Sequence, residues 1–147
     1  MKHGKAFLTG LAAVLTVSGL ALTGCAGRHP QFTPQNARAQ FACVDENNLE
    51  KDVAAEAQLE EFSCSFKKWE GTDTLHFTVA VKNVSNQPQR FRVNIFTDNG
   101  KAVGGLIPAK TQEGLVESGQ TASFVYPVKE MYVNPRTATL KISTISL

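Results

Sequence analysis

From Leu75 to Lys82 apolar and polar side chains alternate: Leu75, Phe77, Val79 and Val81 against His76, Thr78, Ala80 and Lys82. A period of two puts the apolar set on one face of an extended strand, whereas a helix would scatter it around the axis. The same period recurs in Phe62, Cys64 and Phe66, in Phe91, Val93 and Ile95, and in Ala138, Leu140 and Ile142. A further strand runs from Thr121 to Val128, with Phe124, Tyr126 and Val128 on one face and Pro127 marking an edge or an exit. Glu70-Gly71-Thr72-Asp73 and the Asn83–Pro88 stretch read as connections. Asp98-Asn99-Gly100 is a tight-turn signal leading into Lys101-Ala102-Val103, a strand that Gly104-Gly105 and Pro108 are expected to stop early. Six strands with one polar face each need a second layer to bury the other face. The expected fold is therefore all-β, an antiparallel β-sandwich over residues 62–147, preferred to an up-and-down barrel with longer and more regular strands.

The N-terminus has a different logic. Met1-Lys2-His3-Gly4-Lys5 is positive, Ala6 to Leu22 is a mostly apolar run of 17 residues, and Leu22-Thr23-Gly24-Cys25 closes it. A positive start, a short apolar core and small residues at the end describe a secretory signal peptide over residues 1–24, and no later segment is apolar enough to span a bilayer as a helix. Leu22-Thr23-Gly24-Cys25 resembles the bacterial lipobox. That resemblance implies that Cys25 carries diacylglycerol, becomes the first mature residue and is then acylated on its amine. Several acyl chains make a stable anchor where one is marginal, so a membrane is the implied partner. Ala26 follows the cysteine rather than Asp. By resemblance to Gram-negative lipoproteins, this implies a lipid-anchored protein of the cell envelope, at the periplasmic face of the outer membrane. Removing Lys2 and Lys5 from the 15 Lys and Arg leaves cations equal in number to the 13 Asp and Glu. A mature chain near neutrality offers nucleic acid no electrostatic attraction. Residues 25–43, with Pro30 and Pro34 among small polar residues, read as the lipidated cysteine and a flexible tether.

With Cys25 assigned to lipid, Cys43 and Cys64 remain as an even pair in an oxidising compartment. The 20 residues between them match no zinc or redox motif, so a structural disulfide is favoured over two buried thiols or a redox pair. Between these cysteines the chain is acidic, with Asp45, Glu46, Glu50, Asp52, Glu56, Glu60 and Glu61 against Lys51 alone. Asn47 followed by Glu50 fits a helix start, Ala54–Leu59 is good helix-forming sequence, and Leu49, Val53 and Ala57 share a thin stripe. A short surface helix within residues 44–61 is the expectation. The absence of any Gly in this segment argues against a calcium loop.

The connections carry a second resemblance. Val81-Lys82-Asn83-Val84-Ser85-Asn86, Thr97-Asp98-Asn99-Gly100-Lys101 and Glu117-Ser118-Gly119-Gln120-Thr121-Ala122-Ser123-Phe124 resemble immunoglobulin-like domains of the FxLYD type, over roughly residues 74–143. This implies an immunoglobulin-like sandwich, although the Cys–Trp–Cys core of antibody domains is absent. No nucleophile elbow, zinc-protease, P-loop or dinucleotide motif occurs, Met131 is the only mature methionine, and His76 stands on the polar side of its strand. Neither catalytic residues, nor a metal site, nor a cofactor is expected. What remains is a non-enzymatic protein-binding or accessory module with an envelope protein as partner. The alternatives are a structural or stress-related envelope component, or a weak carbohydrate binder using Trp69 and Tyr132. Two connections are unusually apolar, Gly105-Leu106-Ile107-Pro108 and Lys129 to Pro135. Leu106, Ile107, Met131 and Tyr132 are the candidate docking residues, weighed against a satellite core that would tuck Leu106, Ile107 and Val133 under the sandwich.

Overall fold

In the computed structural model residues 39–108 and 114–145 are described. The segment expected to be a signal peptide (1–24), the lipobox-like Cys25 and the expected tether as far as residue 38 lie outside them. Among the described residues the chain forms seven strands: β1 (Leu49–Val53), β2 (Ala57–Trp69), β3 (Thr72–Asn83), β4 (Phe91–Thr97), β5 (Ala102–Ile107), β6 (Thr121–Pro127) and β7 (Ala138–Thr144). They build two sheets, in the orders β1-β7-β4-β5 and β2-β3-β6. Phe66, Leu75, Phe77, Val79 and Val81 of one sheet and Phe91, Val93, Ile95, Leu140 and Ile142 of the other form one buried core between the layers. The all-β sandwich expected from alternation is the fold observed.

Turn chemistry sets both hairpins. Glu70 and Gly71 have φ of 49° and 88° between the paired Trp69 and Thr72, so a two-residue loop with both residues left-handed matches the twist of β2 and β3. In the second hairpin Asp98-Asn99-Gly100 makes a three-residue loop. Gly100 takes φ 76° and donates its N–H to the Thr97 carbonyl at 3.1 Å.

Two expectations are corrected. The helix expected within 44–61 is absent: Glu46–Asn48 makes one 3-10 turn, then β1 and the start of β2 follow. Leu49, Val53, Ala57 and Leu59 all pack against the core from extended backbone. Pairing of β1 with β7, and of Ala57–Leu59 in β2 with β3, overrides the helix propensity of this segment, because a surface helix with so thin a stripe would bury less. Second, β5 does not stop at Gly104-Gly105 but continues to Ile107. A Cβ on Gly104 would run into the Val93 carbonyl oxygen, and one on Gly105 would lie 3.2 Å from the Tyr126 ring. The glycines permit these close approaches, so they belong inside the strand.

Candidate functional site

The sandwich begins at Phe41, well before Phe62. Phe41 exchanges backbone hydrogen bonds with Cys64 at 2.9 and 2.8 Å, its ring lies 5.6 Å from that of Phe66, and Gln40 Nε2 donates to Glu61 at 3.3 Å. Cys43 and Cys64 are disulfide-bonded with Cα atoms 4.9 Å apart, and both are buried. The first described residues are thereby fastened along the outer edge of β2 before the chain crosses to the other sheet as β1.

The two apolar connections divide into core and surface. Met131 and Ile107, expected to dock a partner, are 2% and 0% exposed and contribute to the core. A partner cannot touch them in this fold, which removes half of the expected surface. Leu106 is half-buried, and Tyr132 stays exposed beside exposed Val133. The inward turn at Met131 has a polar cause. Leu75 N–H donates to the Met131 carbonyl and Val128 N–H to the Leu75 carbonyl, each at 2.8 Å. The buried Thr74 hydroxyl bonds the Val128 and Met131 carbonyls and accepts from the Met131 N–H. Glu130 takes φ 57° within this turn, and Lys101 Nζ ties it to the β4–β5 hairpin by donating to the Lys129 carbonyl at 3.0 Å. Sequence reading missed Thr74, because a Thr on the polar side of a strand gives no sign that a loop will fold over it. Trp69, half-buried, lies at this same end of the sandwich, next to the β2–β3 turn.

The opposite end is organised by Asn83, which is fully buried. Its Nδ2 donates to the Gln87 and Val116 carbonyls, both at 2.7 Å, and its Oδ1 accepts from Ser85 N–H at 2.9 Å and Ser85 Oγ at 2.7 Å. The Asn-x-Ser pattern of the 83–86 motif is thus the frame of a loop, and Gln89 and Val116 clasp it through reciprocal backbone bonds of 3.0 and 2.7 Å.

His76, expected on a polar surface, is 6% exposed on the outer face of β3, between Ser65 of β2 and Pro127 of β6. A carbonyl can only accept, so its Nδ1 carries a proton donated to the Thr74 carbonyl at 2.9 Å. Burial lowers its pKa from the ordinary value; the Thr74 hydrogen bond opposes this, and nearby Lys67 reinforces it. The Ser65 and Thr78 hydroxyls beside it are buried without hydrogen-bond partners among the described residues, so neither is in relay with His76. In the core the Tyr126 hydroxyl is likewise unpartnered, and burial raises its pKa. Among the described residues no group of three His, Cys, Asp or Glu is placed to hold a metal. The acidic side chains of β1 instead pair locally, Asp52 with Lys141 at 2.9 Å and Glu50 with the Thr139 hydroxyl at 3.1 Å. The chain matches no family model, and neither a curated protein nor a solved structure matches it.

Proposed function

We propose that this chain is a lipid-anchored protein of the cell envelope whose disulfide-stapled sandwich serves as a non-enzymatic protein-binding or accessory module. The observation that carries the reading is the Cys43–Cys64 bond. The chain has three cysteines, so this pairing leaves Cys25, the last residue of Leu22-Thr23-Gly24-Cys25, as the thiol available to lipid. A buried disulfide also suits an exported protein better than a cytosolic one. The anchor would hold the module at the periplasmic face of an outer membrane, with residues 25–38 as the spacer before the chain meets β2.

The strand order supports the finer reading of an immunoglobulin-like sandwich. In that family the second and fifth strands pair in one sheet, and the third and sixth in the other. With β2 counted as the first strand, the same partners meet here as β3–β6 and β4–β7, and β2 lies beside β3. Departures lie at β5, which joins β4 rather than β6, and at the place beyond β7, where the family has its last, antiparallel strand. β1 fills that place and runs parallel to β7. Replacing Cys25 by Ser tests the anchor. The variant is expected to keep its leader and to leave the membrane fraction once the leader is removed by other means. Membrane retention of Cys25→Ser at the mature size overturns the lipoprotein reading. Envelope proteins co-purifying with the wild-type chain test the binding role, and their absence overturns it.

A further inference from the structure

The two long sides of the sandwich are built differently. On one side lie β1, with Glu50, Lys51 and Asp52 among its five residues, and β2, whose edge is occupied at Cys64 by Phe41. Charges and a covered edge are the usual protection of a sheet against unwanted pairing. On the other side lie β5 and β6, and neither Ala102–Ile107 nor Thr121–Pro127 contains a charged residue. Among the described residues no strand pairs the outer edge of β6.

Which backbone groups that edge offers follows from its pairing with β3. Val128 donates to the Leu75 carbonyl and Asn83 to the Gln120 carbonyl, both within the register of the β3–β6 ladder. In an antiparallel ladder the bonded positions alternate, so Ala122, Phe124 and Tyr126 spend their N–H and C=O groups on β3. Thr121, Ser123 and Val125 turn theirs outward. Pro127 falls on the same outward set, where its missing N–H costs the ladder nothing. Thr121 and Ser123 are exposed, as is Phe124, a large apolar residue at 37%.

We propose that β6 pairs antiparallel with β6 of a second copy of this chain, about a two-fold axis through Ser123, joining the two three-stranded sheets into one of six. The occupant is argued from self-complementarity. With Ser123 opposite its counterpart, Thr121 stands opposite Val125 and Ala122 opposite Phe124. The two serines exchange both of their bonds, and each Thr121–Val125 pair exchanges two more. The half-exposed Phe124 ring comes to rest on Ala122, the smallest side chain of its face, at a closely spaced unbonded pair. No like charges meet anywhere along the strand. A two-fold axis needs one patch complementary to itself, and this strand meets that condition. The pairing does not depend on the lipid anchor.

Serines facing each other in a bonded antiparallel pair bring their Cα atoms to about 5.5 Å, a distance a disulfide spans. Full-length chain carrying Ser123→Cys, purified in detergent and oxidised with diamide, is therefore expected to run at twice its mass on a non-reducing gel. Glu50→Cys, exposed on the protected side, is the collision control and is expected to remain monomeric. Adding Val125→Pro to Ser123→Cys removes one outward N–H from each copy without touching the β3 ladder. It is expected to cut the cross-linked fraction about tenfold or more. A Ser123→Cys chain that stays monomeric, or that cross-links no faster than Glu50→Cys, overturns the proposal. So does a Val125→Pro chain that melts normally and still cross-links fully. Capture of a different protein by the Ser123→Cys chain in intact cells, with no homodimer, assigns the edge to another partner and also overturns it.

Discussion

At Asn83 the two amide hydrogens meet two carbonyls and the amide oxygen meets two donors of Ser85, all in a side chain with no exposure to solvent. Such a residue stabilises through the penalty its loss would impose on its partners. Asn83→Ala strands the Gln87 and Val116 carbonyls and is expected to cost about 1–3 kcal/mol in urea unfolding. Asn83→Asp is expected to cost more at neutral pH, because a carboxylate would face those carbonyls with no hydrogen to offer. Equal, near-zero changes in the two variants would remove Asn83 from the frame of this end. The motif around Asn83 was visible in the sequence as turn chemistry, since Asn and Ser bond neighbouring backbone readily. Its grip on Val116 was not, because the two lie 33 positions apart in the chain. His76 shows the same limit. Alternation put it correctly on the outer face of β3, but its burial comes from neighbouring strands that alternation does not name.

Among the connecting elements, the Lys129–Pro135 segment separates two side chains that sequence treats alike. Met131 is buried under the Thr74 anchor and Tyr132 is 51% exposed. Met131→Ala is expected to destabilise by about 2–5 kcal/mol, as for other buried large-to-small changes. Tyr132→Ala is expected to stay within about 0.5 kcal/mol of wild type. Calorimetry of the two single variants checks the contrast, and a tolerated Met131→Ala would contradict the core assignment. Among the strands, β2, β3, β4, β6 and β7 were legible because period two is a local pattern. β1 was not. Leu49, Val53, Ala57 and Leu59 fit both a thin helical stripe and the inner side of extended chain, and the edge of β7 decides between them. The charged ends of that strand do little of the holding, since the Asp52–Lys141 pair is more than half exposed and such pairs contribute about 0–1 kcal/mol.

For the molecule as a whole, the disulfide joins the entering segment around Phe41 to β2, far along the chain from it. Its cysteines are 21 positions apart, a loop whose closure contributes about 3 kcal/mol in the chain-entropy model. A Cys43→Ser, Cys64→Ser double variant that retains Cys25 is expected to lose about that much stability while keeping a β-type circular dichroism spectrum. A loss below about 0.5 kcal/mol would show that the bond is no staple. The sequence by itself determined the layered all-β class, both hairpin turns and the identity of the paired cysteines. Each of these follows from local sterics, from glycine's tolerance of positive φ, or from the lipobox resemblance that sets Cys25 apart from the other two thiols. Only the tertiary structure decided that β1 lies parallel to β7, that β5 runs through its glycines, that Met131 and Ile107 face inward, and which strands of the described residues end each sheet. Those outcomes depend on which distant backbone and side-chain groups are left to be satisfied once the two sheets close on each other, and no local pattern in the chain records that.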